Sequence, residues 1–276
     1  MRIILVTGIV VLSFLMLLSF WFKFEPSPES NTAFAQEEIQ QQIEEAEEVQ
    51  EVPEIIARLN AKNSLIHNLY CQEVNVKTWE QGMRVRLSAT LYYEKQKRFR
   101  IRLSTTFGIE LDMGSNDEIF WYWSRRDNQP GLYWATYADY HKTRLKTPFN
   151  PVFMSDSLGL EEIDIENARI SETPEYMMCI YNRYNSMGQP VLYSILVNKD
   201  SEEIDAIMVT DMDGFPLATA DIQRYTNGLP KEILYTWHEE DRMLSLEFNQ
   251  PQGNVSIPPA HWVPPDKTPK INMAEQ

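Results

Sequence analysis

With 276 residues, 43% of them hydrophobic, and a formal charge of −15, the chain is long enough for one large domain or two small ones and has an ordinary supply of core-forming side chains. The acidity excludes nucleic acid as a partner, because neutralising a phosphate backbone needs a basic surface. It is unevenly placed: residues 1–35 balance, residues 36–54 hold eight Glu and no basic residue, and the remainder from Ile55 carries −7.

At the amino end, Ile3 to Phe22 is a run of twenty residues without a charge, closed by Lys23 and long enough to span a bilayer as a helix. Ala33-Phe34-Ala35 then offers a signal-peptidase pattern. Residues 1–35 are therefore read as a secretory signal peptide or an uncleaved membrane anchor, and either one exports the rest of the chain. The protein is expected in the periplasm, or anchored in the inner membrane with its domain outside the cytoplasm. No cysteine comes after the apolar run at lipoprotein spacing, so acylation of the lipoprotein type is not open to it.

Residues 36–52 are a Glu/Gln-rich spacer whose apolar stripe is too narrow for a stable helix. From Pro53 the pattern turns amphipathic. Ile55, Ile56, Leu59, Leu65, Ile66 and Leu69 share a helical face that would cover one side of a sheet. Tyr70 to Trp79 alternates weakly as an opening strand, and Gln81-Gly82 marks a turn.

Between Arg84 and Trp123 the alternation becomes strict. Val85, Leu87, Ala89 and Leu91, then Phe99, Ile101 and Leu103, then Phe107, Ile109, Leu111 and Met113 hold odd positions, with Arg, Ser, Thr, Glu or Asp between most of them. A period of two predicts antiparallel strands with one apolar and one wet face. The runs 118–124 and 132–137 are predicted strands with large residues on both faces. Pro148 to Leu160 is predicted to form a short helix and loop, with Phe149, Val152, Phe153, Met154 and Leu158 packed down as a lid.

The second half returns to strands at 176–184, 191–198, 204–210, 217–225, 232–238 and 243–248, separated by Asn185-Ser-Met-Gly188, Asp211-Met-Asp-Gly214 and Asn227-Gly228 turns. This spacing predicts a meander that curls into a barrel or half-barrel. The Pro258-Pro259 and Pro264-Pro265 pairs should end the sheet and leave a loose tail from Asp266.

No catalytic set emerges. The four His lie in unrelated segments, and Asp211 and Asp213 read as turn formers. No metal site, cofactor or catalytic residue is expected, and the chain is read as a non-enzyme. Cys71 and Cys179 sit in apolar strand surroundings and read as buried free thiols, with a disulfide left open by export.

The leading helix, the segment Leu91-Tyr-Tyr-Glu-Lys-Gln-Lys-Arg-Phe-Arg-Ile-Arg and the segment Gly114-Ser-Asn-Asp-Glu-Ile-Phe-Trp-Tyr-Trp together resemble the periplasmic carriers of outer-membrane lipoproteins (LolA-like). Val209-Thr-Asp-Met-Asp-Gly-Phe-Pro and Gly228-Leu-Pro-Lys-Glu-Ile resemble that family's closing hairpins. Lys95 stands where the carriers have arginine, Phe99 matches their aromatic, and Ile101 replaces a second aromatic.

The resemblance implies an α+β fold: an incomplete antiparallel β-barrel, a curved sheet with covering helices on its concave face, over residues 53–260, with 261–276 as a C-terminal tail. It also implies binding of lipid acyl chains or a lipoprotein in the concave apolar face, for carriage across the periplasm. Leu87, Leu91, Lys95, Phe99, Ile101, Leu103, Ile109, Leu111 and Trp123 are the candidate lipid-binding residues. An envelope protein-interaction or sensor module on the same fold is the other reading, with an envelope protein as its partner.

Overall fold

In the computed structural model, residues 53–80, 83–95, 98–126, 129–143, 151–225 and 227–275 are described. The signal or anchor segment, the acidic spacer, the Gln81-Gly82 turn and Phe149 of the expected lid lie outside them. Pro53 presets the first turn of helix α1, Glu54–Ser64, whose buried face is Ile56 and Leu59. The helix ends at Ser64, short of the expected Leu69. Asn68 already pairs with Glu94 across a ladder, which makes Leu69 an inward-facing strand residue.

The strands are β1 (Asn68–Glu80), β2 (Met83–Glu94), β3 (Arg98–Thr105), β4 (Gly108–Ser115), β5 (Ile119–Ser124), β6 (Leu132–Thr136), β7 (Arg169–Glu172), β8 (Tyr176–Tyr184), β9 (Pro190–Asn198), β10 (Glu203–Thr210), β11 (Pro216–Arg224), β12 (Pro230–Trp237), β13 (Arg242–Asn249), β14 (Gln252–Gly253) and β15 (Lys270–Asn272). They form one sheet in the order β15-β6-β5-β4-β3-β2-β1-β13-β12-β11-β10-β9-β8-β7, with β14 beside β1. The two meanders, β1 to β6 and β7 to β13, are joined side by side where β1 pairs with β13. Every ladder is antiparallel except β15 on β6, which is parallel.

The fold is thus mostly β, a large, largely antiparallel, mixed sheet with, among the described residues, two short α-helices, rather than the α+β arrangement expected. The second helix, α2, is only Pro151–Asp156. Among the described residues, β15 and β7 have no ladder between them, so the sheet does not close. It is nevertheless strongly curled. Backbone at Gly188, between β8 and β9, lies against the carbonyl of His141, just past β6. In a flat sheet those strands would stand roughly 50 Å apart at about 4.8 Å per strand.

Turn chemistry behaves as the sequence predicts. Asp211 accepts hydrogen bonds from the backbone N–H of Asp213 and Phe215, and Gly188, Gly214 and Gly228 each close a turn onto the carbonyl three residues back. The tail expected to be loose from Asp266 is ordered instead. Residues 254–272 run as a strap over the outer face: Arg100 donates to the carbonyls of His261 and Val263, Asn116 donates to that of Trp262, and β15 finishes on the β6 edge. Among the described residues no helix is long and apolar enough to cross a membrane.

Candidate functional site

Inward-facing residues are set by register. Phe99 faces Tyr93, Ile101 faces Leu91 and Leu103 faces Ala89 across β2 and β3. Leu246, Ile233 and Ile222 face one another across β13, β12 and β11. These side chains form one continuous cluster with Ile56 and Leu59 of α1, Phe153 and Met154 of α2, and Leu158, Leu160 and Ile163 of the segment after α2. One stretch reaches both halves of the sheet, because α2 packs on β3 to β5 while Ser157 meets Tyr235 on β12.

That covering segment is held mainly by side chains. Arg224 donates to the carbonyls of Leu158 (3.1 Å), Gly159 (2.8 Å) and Gly228 (2.9 Å). Burial pulls its guanidinium down to about 10. Gly159 is in the left-handed region, φ +63, and a Cβ there would collide with the Arg224 guanidinium. Ser157 donates to Tyr235 Oη at 3.1 Å, Tyr93 to Glu161 at 2.6 Å and Tyr181 to the Asp164 carbonyl at 2.9 Å. Burial raises all three phenols.

From α1, Asn60 exchanges hydrogen bonds with the Ile163 backbone, and Asn63 donates to the carbonyls of Gly159 and Glu161. At the mouth, a cleft of about 350 Å³ is lined by Asp156, Arg183 and Tyr193 among others. Arg183 pairs with Asp156 at 2.9 Å and stacks 3.9 Å from the Tyr193 ring centroid. Burial raises the Asp156 carboxyl, and Arg183 opposes that shift.

The residues singled out from sequence divide into three groups. Leu91, Phe99, Ile101, Leu103 and Leu111 face inward and are buried beneath the cover, and half-buried Leu87 packs against the same cluster. Lys95 lies at the rim, where its amine donates to the Asn63 carbonyl at the end of α1 (2.8 Å) and pairs with Glu162 at 3.4 Å.

Ile109 and Trp123 are on the opposite, outer face. Leu103 pairs with Leu111 but Ser104 pairs with Ile109, so an irregularity at Glu110 shifts the alternation by one residue and turns Ile109 outward. Trp123 pairs with Asp112 in the same outward row.

Arg183, Arg224 and Tyr235 are not among the residues singled out from sequence, although a phase count finds them. Arg183 is in step with Cys179 and Tyr181, Arg224 with Ala220 and Ile222, and Tyr235 with Ile233 and Trp237. Cys71 and Cys179 are buried free thiols. Among the described residues, no three His, Cys, Asp or Glu side chains gather as a metal site would need.

No family model matches the sequence, and no curated protein matches it. Solved structures do. A putative outer membrane lipoprotein-sorting protein domain from Vibrio parahaemolyticus superposes with a TM-score of 0.52 at 9% identity, covering 76% of this chain and 94% of that one. In fold, this chain is similar to a lipoprotein-sorting domain. A DUF1329 family protein from Desulfovibrio piger superposes with a TM-score of 0.53 at 10% identity, over 76% of this chain and 95% of that one. A LolA superfamily protein from Nitrosomonas europaea superposes at 0.49 and 10% identity, over 76% and 97%. The likeness to the sorting domain is one of architecture, since identity this low shows the fold alone.

Proposed function

We propose that this chain is a non-catalytic protein of the cell envelope that binds lipid acyl chains, or a lipoprotein through them, on the inner face of the curled sheet, and carries them across the periplasm. Export through residues 1–35 supports the location, and the sorting-domain fold supports the cargo class. The observation that carries the reading is the attachment of the cover. The segment from Ser157 to Asp164 adds no strand to the sheet and hangs on hydrogen bonds from Arg224, Tyr93, Tyr181, Asn60 and Asn63 and on the one that Ser157 donates to Tyr235. Lifting it would bare Leu87, Leu91, Phe99, Ile101, Leu103 and Leu111 as an apolar floor.

The energies are of matching size. Uncovering Phe153, Met154, Leu158, Leu160 and Ile163 costs about 1.5–3 kcal/mol each, whereas an acyl chain returns ~0.8 kcal/mol per buried methylene. A chain of roughly a dozen methylenes therefore offsets the exchange. Photoreactive fatty acid, added to the full chain in phosphatidylcholine nanodiscs and mapped by peptide mass spectrometry, should label β2 to β4 on inward residues. Arg224→Met should increase that labelling severalfold. Labelling confined to the outer face in both proteins would overturn the reading.

One observation favours the second reading, an envelope interaction or sensor module. Leu91, Phe99 and Ile101 are at most 1% exposed, so the interior is filled by the chain itself. If this reading holds, cross-linking in envelope extracts captures one protein partner that is lost on deleting residues 36–52, with no acyl labelling of β2 to β4.

A further inference from the structure

Between the outer face of β3, β4 and β5 and the C-terminal strap lies a cleft of about 540 Å³, within the usual range for a small-molecule site. Gly114 helps to shape this face: a Cβ there would come within 2.7 Å of the Trp121 ring, so only glycine leaves room for that indole, whose ring centroid lies 5.7 Å from the Arg100 guanidinium carbon. The buried Arg100 and Asp112 form a two-point pair at 2.9 and 2.7 Å, and Arg100 Nη1 donates to the strap carbonyls of His261 and Val263. That pair is neutral and complete.

Its neighbours are not. Arg102 reaches the Asp112 carboxylate only through Nε, at 3.2 Å, and among the described residues its two Nη groups carry no hydrogen bond. Across the cleft, Lys267 Nζ rests 4.6 Å from the centroid of Trp123 and has no carboxylate in ion-pair reach among the described residues. Among the described residues Asp266 is the one other acid on the lining, so these side chains are net positive in a domain that is acidic. Its remaining wall is apolar: Ile109 and Val263 are exposed there, next to Pro264 and Pro265.

We propose that this cleft is a binding site for an anion, phosphate or carboxylate, carried on an apolar body: Arg102 and Lys267 hold the anion, and Trp123 with Ile109 receives the apolar part. Arginine donors in a planar fork and a mobile ammonium suit an oxyanion, and an indole already engaged by a cation exchanges it for a flat or aliphatic surface. The headgroup of a lipid and a soluble organic phosphate share this chemistry. The site lies on the face opposite the apolar interior, so it stands or falls separately from acyl-chain binding.

The test titrates the full chain, held in phosphatidylcholine nanodiscs, with phenyl phosphate, inorganic phosphate and dihexanoyl phosphatidylglycerol, following tryptophan fluorescence and heat. One of the two amphiphilic anions should bind saturably and at least tenfold more tightly than inorganic phosphate, and whichever is tighter identifies the source. Arg102→Gln and Lys267→Gln should each weaken it at least fivefold, Arg102→Lys should restore part of it, and Trp123→Phe should remove the fluorescence change. Both cations are partly exposed, so thermal melts of these variants should match the parent. No saturable binding, equal affinity for inorganic phosphate, or binding unchanged in both Gln variants would overturn the proposal.

Discussion

Arg224 shows how much a single buried cation can organise. Its three carbonyl partners come from the cover and from the β11–β12 turn, so removing it takes a donor from all three at once and leaves Gly159 only the longer bond from Asn63. Arg224→Ala should cost about 2–5 kcal/mol in urea unfolding, the range for breaking a buried charge network. On the outer face, Asp221 lies opposite Ala206 and Leu234, and burial alone pushes its carboxyl up to about 6 from 3.8. Between those values the folded chain holds a proton that the unfolded chain releases, so this residue's contribution to stability falls as pH rises through that window. Asp221→Asn should therefore stabilise the protein by about 1–3 kcal/mol at pH 7.5. That gain should shrink toward zero as the pH is lowered to 4; a gain that grows on acidification would refute the assignment.

At the scale of elements, the strap and the cover are opposites. Residues 254–272 bond to the sheet through a parallel ladder and through Arg100 and Asn116, and they blunt the β6 edge. Truncation after Pro258 should bare that edge along with Trp121, and the protein should self-associate in light scattering at concentrations where the parent is monodisperse. Replacing Ile56 of α1, which is fully buried, by Ala should cost about 2–5 kcal/mol. The paired change Asn60→Ala with Asn63→Ala should lower stability less and raise protease sensitivity near residues 157–164, since it loosens the cover without opening a cavity. Cleavage unchanged from the parent would show that α1 does not fasten it.

For the molecule as a whole, much was legible from local pattern. The hairpins from Tyr176 to Asn249 and their Gly-containing turns were readable because each strand pairs with its sequence neighbour, and period and turn residues suffice to place it. The inward residues Leu91, Phe99 and Ile101 were readable for the same reason. What the residues alone determined is therefore an acidic, mostly antiparallel sheet with one apolar face. Tertiary structure decided the rest: that the expected lid and leading helix fill this face to the point of near-complete burial, that Ile109 turns outward beyond a one-residue irregularity and Trp123 by its pairing with Asp112, and that the tail returns as β15 on β6. Those outcomes depend on register and on contacts between residues from 65 to more than a hundred positions apart. Hydrophobic periodicity reports only the nearest few neighbours, so no reading of it could have reached them.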